Sequence, residues 1–413
     1  MLVRVLENNG GMGKLQVNVV DENNAPVDDA EVTIRDAENQ VIEQVATDSS
    51  GQTENVSLIT PPMEYSLNEN NDRMPYANYN VEINVGGVQI ENVLNVEVLP
   101  GELAIQNVRI TRRTEETITI EPHTLYADYP EKIPEEEIKD VQEPGDIVLS
   151  RVVIPEYVIV HNGAPTSNAK DYYVLYRDYI KNVASSEIYA TWPEETIKAN
   201  VLAIMSFTLN RVYTEWYRNQ GYDFTITSST AYDQKWIYGR NYFESISRVV
   251  DEIFNQYLSR PDVRQPLLTQ YCDGKKITCP NWLSQWGSFS LGEQGKTALQ
   301  ILRNYYGRDI YINSAQQISG VPASWPGYDL NVGSRGQKVM QLQEQLDTIA
   351  KVYTAIPRIE ADGIYGEKTK AAVSAFQKIF NLPVSGVADF ATWYKVSQIY
   401  VGITRIGEGV DRG

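Results

Sequence analysis

The chain has little of what soft metals bind. Of its 413 residues only Cys272 and Cys279 are cysteine, and only His123 and His161 are histidine. A structural zinc wants four such ligands, so no metal is expected. Two cysteines are also too few for a disulfide framework, which leaves a local disulfide or two free thiols for that pair. No apolar run approaches the roughly 18 residues that a membrane helix needs, so no membrane partner is expected. The opening MLVRVLENNGGMGKLQ lacks a charged segment followed by an apolar core and a small-residue cleavage site. The expectation is therefore a protein made without an ordinary secretory signal peptide.

Basic charge is scarce in the front third. Residues 1–150 hold 29 Asp/Glu against 9 Lys/Arg, while 151–413 hold 25 against 27. The formal charge of −18 thus belongs to a front segment. A nucleic acid would be repelled by it, so no nucleic-acid partner is expected. A removable or regulatory front piece is the natural reading.

What is present divides into four segments. Residues 1–113 alternate apolar and polar in runs such as KLQVNVVDE, AEVTIRD, YNVEINV and LAIQNVRI, separated by turn signals, and predict a small antiparallel β-sandwich. Residues 114–150 combine four prolines in EPHTLYADYPEKIPEEEIKDVQEPGD with a dense acidic run, and read as a solvated linker used as a pro-segment. Residues 151–320 are mixed α+β. RVVIPEYVIVHNG is an entering strand and KDYYVLYRDYIKNVASSEIY a helix. A second helix carries Ile197, Val201, Ile204, Met205, Thr208, Val212 and Trp216 as one apolar stripe. Residues 325–405 predict three helices with loops rich in Gly and Asp. Leu342-Gln343 and Phe376-Gln377 mark a weak internal repeat there.

The stretch ASSEIYATWPEE, residues 184–195, holds three glutamates of unequal standing. Pro193 ends one helix and suits the first turn of the next. Thr191 with Glu194 fits a capping box, and Glu194 and Glu195 complement a positive helix start. Glu187 has no such explanation. It falls in the last turn of a helix, where the dipole disfavours negative charge, and Tyr189 and Trp192 flank it. Both the dipole and partial desolvation would raise its pKa toward what a general acid requires at neutral pH.

VASSEIYATWPEETIKANVLAIMSFTLNR and the later LSQWGSFSLGEQGKTALQILRNYY resemble, in order, two motifs of the stage II sporulation protein D family. Gly333-Ser334, Leu342-Gln343, Asp362-Gly363-x-Tyr365-Gly366 and Ala375-Phe376-Gln377 resemble the type 1 peptidoglycan-binding domain. The front segment is similar to prealbumin-like sandwiches, and the whole order is similar to the clostridial spore cortex-lytic enzymes. The resemblance implies a multidomain precursor of a lytic transglycosylase. It would act on peptidoglycan glycan strands of the spore cortex at germination, after an activating protease cuts near Gly145 to Glu156. Glu187 would be the single catalytic acid. No cysteine precedes Gln234, so the metal of some relatives is not carried over and no cofactor is expected. Asp233 reads as a cap or turn residue, not a base. Sugar rings stack on aromatic faces and amides bond their hydroxyls, so Tyr189, Trp192, Tyr232, Gln234, Gln285 and Trp286 are the groove candidates. The alternatives are a non-catalytic peptidoglycan-binding spore assembly protein and a hydrolytic muramidase.

Overall fold

The computed structural model describes residues 10–110, 116–134, 151–263 and 265–405. Residues 145–150 of the expected processing stretch lie outside these. The chain is multidomain, with a β-rich front, a mixed centre and a helical C-terminal unit.

The alternating runs of the front become strands β1 (Gly11–Val20), β2 (Glu31–Arg35), β3 (Val41–Ala46), β4 (Val56–Thr60), β5 (Ala77–Val85), β6 (Val88–Val98), β7 (Leu103–Arg109) and β8 (Glu116–Thr119). One sheet orders β3-β2-β5-β6-β8. In the facing sheet β1 lies between β4, antiparallel, and β7, parallel. Period-two burial sets Leu15, Val17 and Val19 of β1 against Val81, Ile83, Val93 and Val96 between the layers. A side chain at Gly13 would meet the Leu99 carbonyl at 2.3 Å, so only glycine lets the chain pass there.

In the centre, β9 (Val153–Ile154) precedes β10 (Tyr157–His161) and β11 (Asp171–Leu175), which form an antiparallel hairpin. The helix expected from Lys170 onward begins only at α1 (Tyr176–Glu187). Its first residues extend as β11, because pairing with β10 overrides helical spacing. α2 (Glu194–Tyr213) is buried nearly all round instead of along one stripe. It is the hub, packed by α1, by α3 (Glu244–Ile253), by α4 (Gln285–Glu293) and by α5 (Ala298–Tyr306). The capping box is also absent. Pro193 is the N-cap of α2, and the Thr191 hydroxyl donates instead to Ser66 Oγ at 2.8 Å. Short pairs complete the centre: β12 (Ile226–Thr227) beside β10, β14 (Gln256–Ser259) with β17 (Tyr311–Ser314), β15 (Tyr271–Cys272) with β16 (Leu283–Ser284), and β18 (Gln317–Ile318) with β9.

The two units share a sheet. β13 (Tyr242–Phe243) pairs antiparallel with β7, extending the front sheet into the centre. Beside it Arg240 makes a buried bidentate pair with Glu97 at 2.7 and 2.8 Å. The amide of Asn241 exchanges hydrogen bonds with the Glu97 backbone.

The C-terminal unit is α6 (Gln337–Ala350), α7 (Glu367–Ile379) and α8 (Phe390–Thr404). Gln343 accepts from Gly363 N–H at 2.8 Å, and Gln377 from Gly386 N–H at 2.9 Å. Each buried amide thus ties down the glycine loop that follows its helix, which gives the internal repeat a physical meaning.

Candidate active site

Helix α1 ends at Glu187, and the extended Ile188 turns the chain away. The Glu187 side chain is fully buried. One carboxylate oxygen accepts the Lys235 N–H at 2.7 Å, and the other accepts the Tyr271 hydroxyl at 2.5 Å. Burial pushes the carboxyl up to about 7, opposed by the charge of Lys132 and by the Tyr271 and Lys235 donors. Burial, and not the helix dipole, is thus the main cause. The phenol of Tyr271 is itself pushed well up by burial and by the carboxylate, so it remains a donor. A carboxyl so poised can give and take a proton at neutral pH.

Asp233, the other carboxylate of interest, is engaged in full. It accepts Arg211 Nε at 2.8 Å, the Tyr217 hydroxyl at 2.7 Å, and both the N–H and hydroxyl of Thr227 at 2.9 and 2.7 Å. It is an internal tie rather than a cap. His161 closes the β10–β11 hairpin, with Nδ1 on Asp171 at 2.7 Å and Nε2 near Ser167 Oγ at 3.2 Å.

Residues 170–259 match the family model described as stage II sporulation protein, and residues 335–396 match that of a peptidoglycan binding domain. The two matches lie in separate parts of the chain, the first in the mixed centre and the second in the helical C-terminal unit. The central unit that contains residues 170–259 is called the sporulation domain after the first match. No curated protein matches the chain. A solved structure titled "The crystal structure of SleB N-terminal domain" is similar at 27% identity, covering 19% of this chain and 99% of that one, with a TM-score of 0.17.

The sporulation domain distributes the expected groove residues unevenly. Tyr189, Trp192 and Trp286 pack on one another, with the Trp192 and Trp286 rings 5.1 Å apart, and are almost wholly buried. Trp192 Nε1 donates to Ser66 O at 3.0 Å. None of the three offers an open face. Gln234 is also internal: its amide accepts from Tyr179 and Thr208 and donates to Ile204 O. Tyr232 is half-buried. Gln285 differs, being fully buried with neither amide atom partnered among the described residues. The pairing of Cys272 with Ser284 sets Gln285 beside the strand that carries Tyr271. An unpartnered amide there is costly to the fold. Ser284 caps α4, Asn200 of α2 donates to Ser288 at 2.8 Å, and Gly292 admits Thr196 of α2. These contacts hold Gln285 in place.

Residues 116–134 are not a solvated linker. β8 joins the front sheet, and the chain then runs as a strap across the sporulation domain. Thr124 donates through N–H and hydroxyl to Ser186 O at 3.0 and 2.8 Å. The His123 ring stacks on Tyr189 at 4.5 Å. Leu125 N–H donates to His123 Nδ1, so Nε2 carries the proton given to Ile188 O, and burial with Arg240 nearby holds this ring neutral. Farther along, Lys132 Nζ donates to Asp233 O at 2.8 Å and Ile133 N–H to Ala231 O at 2.7 Å. The strap therefore grips the residue before Glu187 and the segment leading to Lys235. Between these grips Tyr129 is buried, and the charge of Glu187 helps to raise its phenol well above the usual range. Cys272 and Cys279 form a disulfide, and Lys276 in that loop donates to the carbonyls of Leu125, Tyr126 and Ala127. Tyr271, Tyr129 and Lys132 carry no local sequence signal, since only the fold brings them to Glu187.

Proposed function

We propose that the protein is the precursor of a peptidoglycan lytic transglycosylase of the spore cortex, with Glu187 as its single acid and base. The observation that supports this most is a fully buried carboxyl raised to about 7, while the other candidate carboxylate, Asp233, is already committed to Arg211. Two-carboxylate hydrolysis needs a second free group, and Asp233 is not one. Protonated Glu187 gives its proton to the glycosidic oxygen between N-acetylmuramic acid and N-acetylglucosamine as the bond from C1 breaks. The resulting carboxylate takes the proton of the muramic C6 hydroxyl while O6 bonds to C1. The product is a 1,6-anhydro end, no water is consumed, and Glu187 returns protonated. Gln285 supplies an amide for a sugar hydroxyl or N-acetyl group, and the C-terminal unit holds the enzyme on its polymer, raising local substrate concentration. The strap beside Glu187 supports a latent precursor, awaiting an activating protease and acting at germination.

The test is digestion of purified cortex peptidoglycan by the chain freed of residues 1–150, with mass spectrometry of the products. Anhydro-muropeptides are expected. Products heavier by one water would make the protein a muramidase, and no products would leave a binding or assembly protein.

A further inference from the structure

We propose that the front unit, residues 10–134, is a dissociable inhibitor of the sporulation domain: it stays bound after the chain is cut, and its departure is what uncovers Glu187. This rests on the reading of Glu187 as the catalytic acid.

The grip lies entirely on the front side of any cut made after residue 134. It comprises the β7–β13 pairing, the Glu97–Arg240 pair with the Asn241 exchange, and the strap. One hydrophobic cluster runs unbroken through the front unit, the sporulation domain and the C-terminal unit. Cleavage of the peptide chain removes none of these contacts. Arg240 and Glu97 are both buried, and separating them leaves two charges to be rehydrated together, so release is slow unless the whole face opens. The front unit also holds the peptidoglycan-binding unit. Asn381 donates to Gln16 at 3.0 Å, Gln52 to Ile379 O at 2.6 Å, and Asn24 to Gly402 O at 2.9 Å.

The strap has the chemistry of an occupant of a glycan groove. It presents the flat ring of Tyr129 beside Glu187 and stacks His123 on Tyr189. Lys132 brings an ammonium near the carboxylate, where breaking a glycosidic bond develops positive charge. Its inhibition is therefore competitive with the glycan, and the acidity of the front segment is incidental to it.

The experiment uses the full chain carrying a specific protease sequence within residues 135–150 and an affinity tag on its front end. After the cut, the two pieces are expected to elute together on gel filtration. They should clear a peptidoglycan suspension at least about tenfold more slowly than the same sample stripped of its front unit on the tag resin in mild urea. Adding the stripped unit back should slow it again. Tyr129→Ala with Lys132→Ala should raise the rate of the cut sample without separating the pieces, since the sheet and the Glu97–Arg240 pair persist. A cut chain as fast as the stripped one, or pieces that part at once, overturns the proposal. If the stripped chain clears nothing, the reading of Glu187 falls, while co-elution still decides whether the front unit stays bound.

Discussion

Glu187 and Asp233 are both fully buried in the sporulation domain, and they are provided for differently. Asp233 receives four donors, one of them the Arg211 guanidinium, all from its own domain. Glu187 receives a backbone N–H and a phenol, and the opposing charge that counts most comes from Lys132 on the strap. A carboxylate balanced inside its domain is part of the scaffold. One whose counter-charge sits on a detachable segment is free to change protonation once that segment leaves.

Exchanging the two carboxylates for amides breaks this comparison most sharply. Glu187→Gln should cut the clearing rate of the stripped enzyme by about a thousandfold or more, the scale of lost general acid–base catalysis. The same variant should be more stable in the intact chain at pH 8. The folded pKa of about 7 lies above the ordinary 4.5, so the wild-type contribution is complete below 4.5 and lost as pH rises through 7. Glutamine does not titrate, so its advantage grows over that window to roughly 3 kcal/mol, read by thermal unfolding at pH 5 and pH 8. A variant that keeps its activity would return Glu187 to the status of a buried structural residue. Asp233→Asn should act the other way. It takes the carboxylate from a buried guanidinium, costing about 3–5 kcal/mol in urea unfolding, while the remaining folded enzyme keeps most of its rate. Loss of rate without loss of stability would make Asp233 the second catalytic group. Tyr271→Phe is the finest probe. Removing a donor to the carboxylate disfavours its charged form, so the alkaline limb of the pH–rate profile should move up. The rate at neutral pH should fall about tenfold, the worth of one charge-assisted hydrogen bond. An unmoved limb would assign Tyr271 to packing alone.

Capping and dipole arguments single out Glu187 in the sequence by assigning Glu194 and Glu195 to a helix start, and the structure buries Glu187 fully. In the structure those neighbours do other work: Glu194 pairs with Arg248 at 3.3 Å and Glu195 accepts the Ala298 N–H. The α+β centre and the three C-terminal helices were legible from periodicity, while the β11–α1 boundary was not, since Tyr172 to Leu175 satisfy either period until β10 pairs with them. Tyr271 lies 84 residues from Glu187, and one tyrosine among 27 carries no mark of its position. The strap was hidden by its own composition. Its prolines and acids suggest solvation, yet His123, Leu125 and Tyr129 are spaced to bury one side against a groove that another part of the chain provides.

The sheet shared between front and centre leaves a mark on whatever remains after release. When β7 departs, β13 becomes a bare edge of two residues, Tyr242 and Phe243, followed at once by α3. So short an edge gives a second molecule almost no ladder to extend. The liberated enzyme should therefore work on its polymer as separate molecules, without stacking edge to edge into fibres.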